Sequence, residues 1–276
     1  MLEWQGETLL RMAATYFWSV NDWAAAALNA RLAMNVFSQL DDGVLHAQAA
    51  VLRAASLVEI LSSTSAADAR TGTAETQSPL DEPIGLGDAA ALALQNAGLR
   101  YGQAQALNFA GIGLFYQGKY SVARARYDQA AAIFRSLGEE ASAALPLQNV
   151  AHIDLDSGDY TKAIASFKAV LEVLDPDANA EQYVTVLINL GTAQYVMGQF
   201  EAALRSLTMA LEICDKRSFA AERARSLHSL GMVYLVIGDR DRAQIFLERA
   251  LELRRPLASQ NPIWRSEERR VGKECR

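Results

Sequence analysis

Apolar residues recur along most of this chain at helical spacing, and the pattern is punctuated at even intervals. Gly118, Gly158, Gly198 and Gly238 stand forty residues apart. Seven residues before them come Gly111, Ala151, Gly191 and Gly231, and five residues after them come Ala123, Ala163, Ala203 and Ala243. Large residues follow at Tyr127, Phe167, Leu207 and Leu247, then small ones at Ala130, Val170, Ala210 and Ala250. Columns that share one period mark an internal repeat. The segments QGKY, SGDY, MGQF and IGDR read as tight turns, because Gly accepts the left-handed conformation that ends a helix. Each unit is therefore predicted to be a helix, a turn and a second helix. The small residues on either side of the turn let the two helices approach, and the large residue is expected to fill the gap between neighbouring units. One such pair cannot bury its apolar face alone, so the units are expected to stack.

The N-terminal third reads as a worn continuation. Asn21-Asp22-Trp23 takes the turn slot with Ala14 and Ala26 in the small columns, which makes Gly6–Leu40 one repeat. Val44–Leu61 is the expected first helix of the next, and Gly87–Ala97 its second. Between them, Ser62–Gly85 is rich in Ser, Thr, Ala, Gly and Pro and poor in large apolar residues, the composition of a flexible insert. The expected organisation is thus residues 1–61 for the first repeat and a half, an insert over 62–85, an array over 86–256 and a linker over 257–264. The clear repeats begin near Gln103. About six repeats and twelve helices result, an all-α chain.

These columns, across roughly Gln103–Pro256, resemble the tetratricopeptide repeat, whose small–large–Gly–Ala–aromatic–Ala signature spans a shorter unit. The period of forty departs from that signature and implies longer helices. It is similar to the units of kinesin light chain, of Leu-Gly-Asn-repeat adaptors and of bacterial arrays placed ahead of caspase-like CHAT proteases. The resemblance implies a right-handed α-solenoid that holds a peptide or partner segment in a concave groove, a non-catalytic role. A second reading makes the array the regulatory front of a CHAT protease or signalling enzyme.

Arg265–Arg276, RSEERRVGKECR, breaks the apolar period and resembles a translated sequencing adapter. It is set aside as non-native. On that reading the gene product is expected to have continued past Trp264. The whole chain has 26 Lys/Arg and 32 Asp/Glu, a net charge of −6. Without the tail's five basic and three acidic residues, 21 basic and 29 acidic remain, a net of −8. An acidic body disfavours nucleic acid as a partner. No basic leader precedes an apolar stretch and no run of eighteen apolar residues occurs, so a cytoplasmic protein without a membrane span is expected.

Candidate chemistry is sparse. His152-Ile-Asp154-Leu-Asp156-Ser-Gly158-Asp159 imitates a calcium loop, but its glycine is one place early and Ala165 stands where a bidentate Glu is needed. Gly85-Leu-Gly87 and Gly111-Ile-Gly113 follow no strand and read as no phosphate site. His46, His152 and His228 lie on different helices with no triad around them. Cys214 sits in an apolar run and reads as a buried thiol. No metal, cofactor or catalytic residue is expected. The resemblance instead points to the inner face of the first helices, where it places Asn108, Tyr116, Gln148, Asn149, His152, Asn189, Tyr195, Arg225 and His228. Asn149 and Asn189 share a column in which an amide can both donate to and accept from a peptide backbone. The basic columns that grip chaperone tails hold Gln148, Ile188 and Ser229, which disfavours that class of partner.

Overall fold

The computed structural model describes residues 1–63 and 78–260, with side chains over 1–61 and 78–255. These residues form twelve α-helices and no strand. They are α1 (Leu2–Thr15), α2 (Trp23–Gln39), α3 (Gly43–Ser63), α4 (Asp81–Asn96), α5 (Arg100–Tyr116), α6 (Tyr120–Ser136), α7 (Glu140–Asp156), α8 (Tyr160–Val173), α9 (Ala180–Val196), α10 (Phe200–Arg217), α11 (Ala220–Val236) and α12 (Arg240–Gln260). Taken in sequence they make six helix pairs. The chain divides into two compact units, Met1–Pro146 and Leu147 onward. The division falls at Pro146 inside α7, where the ring removes one helical N–H.

The turns are built alike. Gly98, Gly118, Gly138, Gly158, Gly198 and Gly238 all have positive φ, between 72° and 88°. At Gly118 its N–H donates to the Phe115 carbonyl (2.8 Å) and the Lys119 N–H to the Leu114 carbonyl (3.0 Å), and the same pair of bonds recurs at the other five. These bonds satisfy the last carbonyls of one helix while the chain reverses into the next. Asn21, Asp41 and Ser218 take the same left-handed conformation without glycine. A left-handed residue thus recurs about every twenty residues, between repeats as well as within them. Asp22, Asp159 and Asp239 then cap the following helix by accepting from Ala25, Lys162 and Arg242 N–H. The α8–α9 junction departs from this scheme. Pro176 stops the helix, and the Asp175 carboxylate accepts from the Asp177 and Ala178 N–H at 2.8 Å each. Those backbone donors hold its carboxyl below the usual carboxylate range.

In the first unit α1 packs on α2, α2 on α3, α3 on α4 and α5, and α5 on α6. Ala33, Phe37 and Ala49 form one buried cluster there. In the second unit α9 packs on α8, α10 and α11, and α11 on α12. Its core holds Val184, Leu187, Leu207, Cys214, Leu230 and Val233. Cys214 is fully buried, and burial, followed by the nearby Glu222 charge, pushes its thiol up to about 12. Gly43–Leu61 of α3 is the one stretch among the described residues long and apolar enough to cross a membrane, by length and composition. In this fold it packs between α2 and α4.

One expectation is extended and three need correction. The large column residue covers the crossing inside its own unit as well: a Cβ on Gly111 would lie 2.6 Å from Tyr127, on Gly191 2.6 Å from Leu207, and on Gly231 2.7 Å from Leu247, while Leu207 also clusters with Leu230 and Val233 of the next unit. In the first repeat the fully buried small residue is Ala13, while Ala14 is half-buried. A π-helical turn over Tyr16–Val20 inserts one extra residue before the turn and shifts that column by one. The insert is shorter than 62–85. The helix of α3 continues through Ser63, and α4 starts at Asp81, because Asp81, Glu82 and Pro83 suit a first helical turn and Asp81 accepts from the Ser78 N–H. Finally, α12 runs through Gln260, so the supposed linker begins inside a helix. The flexibility expected of the insert falls on residues 64–77, and the adapter-like tail is 265–276; both lie outside the described residues.

Gly191→Ala should test the crossing. Alanine is normally the better helix former by about 0.5–1 kcal/mol, yet here it should destabilise by about 1–3 kcal/mol through overpacking against Leu207. In a Leu207→Ala background the same change should be neutral or stabilising. Urea denaturation of the four proteins measures this, and an unchanged Gly191→Ala midpoint would refute the packing described.

Candidate functional site

The first helices of consecutive repeats touch one another: α3 meets α5 in the first unit, and α9 meets α11 in the second. In the second unit a polar row crosses them. Asn189 on α9 is 6% exposed, and its side chain bridges two neighbours. Its Oδ1 accepts from Arg225 Nη2 on α11 at 3.2 Å, and its Nδ2 lies 3.1 Å from His152 Nε2 on α7. Arginine can only donate, so the amide oxygen must face Arg225 and the amide NH2 must face His152. Nε2 of His152 is then the acceptor, and the ring carries its proton on Nδ1. Burial, and after it the Arg225 charge, lowers the His152 pKa to about 4, so the ring is neutral at ordinary pH. The Phe167 ring stands edge-on to it, with centroids 5.6 Å apart.

Other expected residues fall around this row or apart from it. Gln148 lies one turn before His152 on α7, is 7% exposed, and its Oε1 is buried without a hydrogen-bond partner. Asn149 and His228 are half-buried on α7 and α11. Tyr195 closes the end of α9, its ring 6.4 Å from that of Phe200. Thr185 and Thr192 share the α9 face, each hydroxyl donating to a carbonyl one turn back. Asn108 and Tyr116 belong to α5 in the first unit, where Asn108 is 3% exposed and Tyr116 half-buried. Tyr116 lies close enough to add to the burial that raises the Tyr127 pKa.

The sequence reading did not single out Gln194, which is 4% exposed and accepts from the Ser206 hydroxyl at 2.8 Å across the α9–α10 pair. A buried amide twelve residues from a serine leaves no mark on the repeat pattern. The calcium-loop resemblance dissolves into a helix end. The Asp154 carbonyl accepts from the Asp159 N–H, and the Asp159 carboxylate caps α8. Among the described residues no group of three or more His, Cys, Asp or Glu could hold a metal ion.

Titration of His152 should be visible in stability. The unfolded ring protonates near its ordinary 6.5 and the folded ring only near 4, so between these values the unfolded chain holds more protons. Stability is therefore expected to fall as pH falls from about 6.5 to about 4 and to level off below. In His152→Gln this contribution disappears, while other titrating groups are common to both proteins. Melting curves from pH 7.5 to 4 should show a steeper decline for the wild type; parallel curves would refute the neutral ring.

Residues 139–216 and 182–255 each match the tetratricopeptide repeat family. No curated protein matches the sequence. Among solved structures, the apo form of RapI superposes with a TM-score of 0.65 at 12% identity, over 92% of this chain and 85% of that one. BtubC from P. vanneervenii gives 0.59 at 16%, over 93% and 92%. The Rap conjugation gene regulator of plasmid pLS20, in complex with the Phr* peptide, gives 0.63 at 14%, over 91% and 74%. At such identities these likenesses speak for the fold. The family match, together with the forty-residue columns and the left-handed turns, makes residues 139–255 a run of tetratricopeptide repeats.

Proposed function

We propose that the chain is a protein-interaction scaffold that binds an extended peptide or partner segment along the first helices α7, α9 and α11. The observation that carries this reading is the polar row itself. A helix face that served packing alone would bury apolar side chains, as the opposite faces do with Val184, Leu187 and Leu230. This face instead keeps Asn149, His152, Thr185, Thr192, Arg225, His228 and Ser229 half-buried, at helical spacing on three helices. Half-buried amides, hydroxyls and a guanidinium suit main-chain groups of a peptide, which present one donor and one acceptor per residue. The pLS20 regulator, similar in fold, is a peptide complex, which supports the same use here.

The two asparagines have different tasks in this reading. Asn189 orients the row through its two bonds, and the half-buried Asn149 reaches the peptide. Asn149→Ala is expected to weaken a bound peptide by roughly two- to tenfold, the worth of one hydrogen bond, with little change in melting temperature. Asn189→Ala should lower the melting temperature, because it leaves both His152 and Arg225 without their bond. Peptides selected from a random displayed library against the full chain, then titrated calorimetrically, provide the measurement. Equal affinity for wild type and Asn149→Ala would sink the assignment.

A further inference from the structure

Four basic residues of the second unit are paired with carboxylates, Lys162 with Asp159, Arg217 with Asp177, Arg223 with Asp215 and Arg242 with Asp239, while Lys168, Arg205, Lys216, Arg240 and Arg249 are exposed to solvent. Arg225 is different. It makes no ion pair among the described residues, and its hydrogen bond goes to a neutral amide, Asn189 Oδ1. Glu222 stands three residues earlier on the same helix, yet it takes no part in an ion pair with it, and its backbone carbonyl accepts from Ser226. A half-buried guanidinium without a counter-charge has given up hydration that a carboxylate would restore.

The cation is also held in place. Its planar fork has five donors, and Asn189 engages one nitrogen. Asn189 is fixed in turn by His152, so the orientation of the fork is set before any ligand arrives. Because His152 accepts through Nε2, the row carries a single positive charge, matched to one carboxylate. The chain around it has a net charge of −6, which disfavours a strongly acidic segment at longer range.

Resting on the groove reading above, we infer that Arg225 is the receptor for one Asp or Glu side chain of an otherwise neutral or basic peptide, with Asn189 and His152 as its positioning residues. The inference goes beyond that reading by naming the chemistry that selects the partner.

The test is a random peptide library, fused at its C-terminus to the carrier, selected on the full chain and on Arg225→Glu. The wild type should enrich peptides with Asp or Glu fixed at one position, and Arg225→Glu should replace it there with Lys or Arg. A selected peptide, synthesised with an amidated C-terminus, is then titrated in its Glu and Gln forms. The Glu→Gln peptide, or Arg225→Gln in the protein, should each lose roughly ten- to hundredfold in affinity, and the two changes together little more than either alone. The peptide substitution keeps the test valid if a protein variant folds poorly. Enriched peptides with no fixed acidic position, bound equally by Arg225→Gln, would overturn the carboxylate inference and leave the groove standing. Enrichment of no peptide would overturn the groove reading, and this inference with it.

Discussion

Everything in this fold depends on one contact: a large side chain of the second helix seated on a small residue of the first, a glycine in four of the repeats, with Ala151 in its place in another. Leu207 on Gly191 and Leu247 on Gly231 stand where a single added carbon would be 2.6 to 2.7 Å from the leucine. At that separation the backbones of the two helices are each other's packing surface. The alanines of the second helix complete the crossing, since the Ala203 and Ala243 carbonyls lie 3.4 and 3.3 Å from the same points. Ala123, Ala163 and Ala203 are fully buried for this reason. Dispersion at such a seam is large in sum and falls steeply with a small gap. The helices cannot be re-spaced without loss, and this fixes where every other side chain in the repeat points.

That constraint is why the repeat was legible. Gly and Ala at a crossing leave a column, and columns at one period survive even where the rest of the unit varies. The pairing of helices, the turn at Asn21-Asp22 and the burial of Cys214 could all be read from it. That the large residue also covers the crossing within its own unit could not, because a period says where a side chain recurs and not every neighbour it meets. The extra π-turn residue at Tyr16–Val20 is invisible for a similar reason: it shifts one column by one place without changing composition. The start of α4 was there to be read. Ser78-Pro79-Leu80-Asp81-Glu82-Pro83 holds acidic residues and a proline suited to a first turn, with the Asp81 carboxylate accepting from the Ser78 N–H, inside a segment of low apolar content.

The candidate site was legible as a list and not as an arrangement. Position in the repeat brought His152, Asn189 and Arg225 onto one face, and only their geometry shows that they bond to one another. A chain of bonds through a donor-only guanidinium leaves each member one choice of orientation. The amide cannot flip and the ring cannot change tautomer without breaking a bond. Three side chains on three helices thus act as one rigid group, with its positive end at Arg225. The neighbouring buried Gln148 Oε1 shows the opposite condition, an acceptor whose lack of a partner has a cost of about 1–3 kcal/mol.

The left-handed residue that recurs about every twenty positions has a consequence for how such a chain can change length. The turns between repeats, the α8–α9 junction excepted, are built like those within them, so backbone chemistry alone would let a gene gain or lose one helix. The side chains forbid it. First helices carry the small residue and second helices the leucine or aromatic residue that covers it, so a single inserted helix would set small against small or large against large. Growth of the array is therefore restricted to pairs, and an ancestral duplication of forty residues is the shortest that leaves every crossing intact.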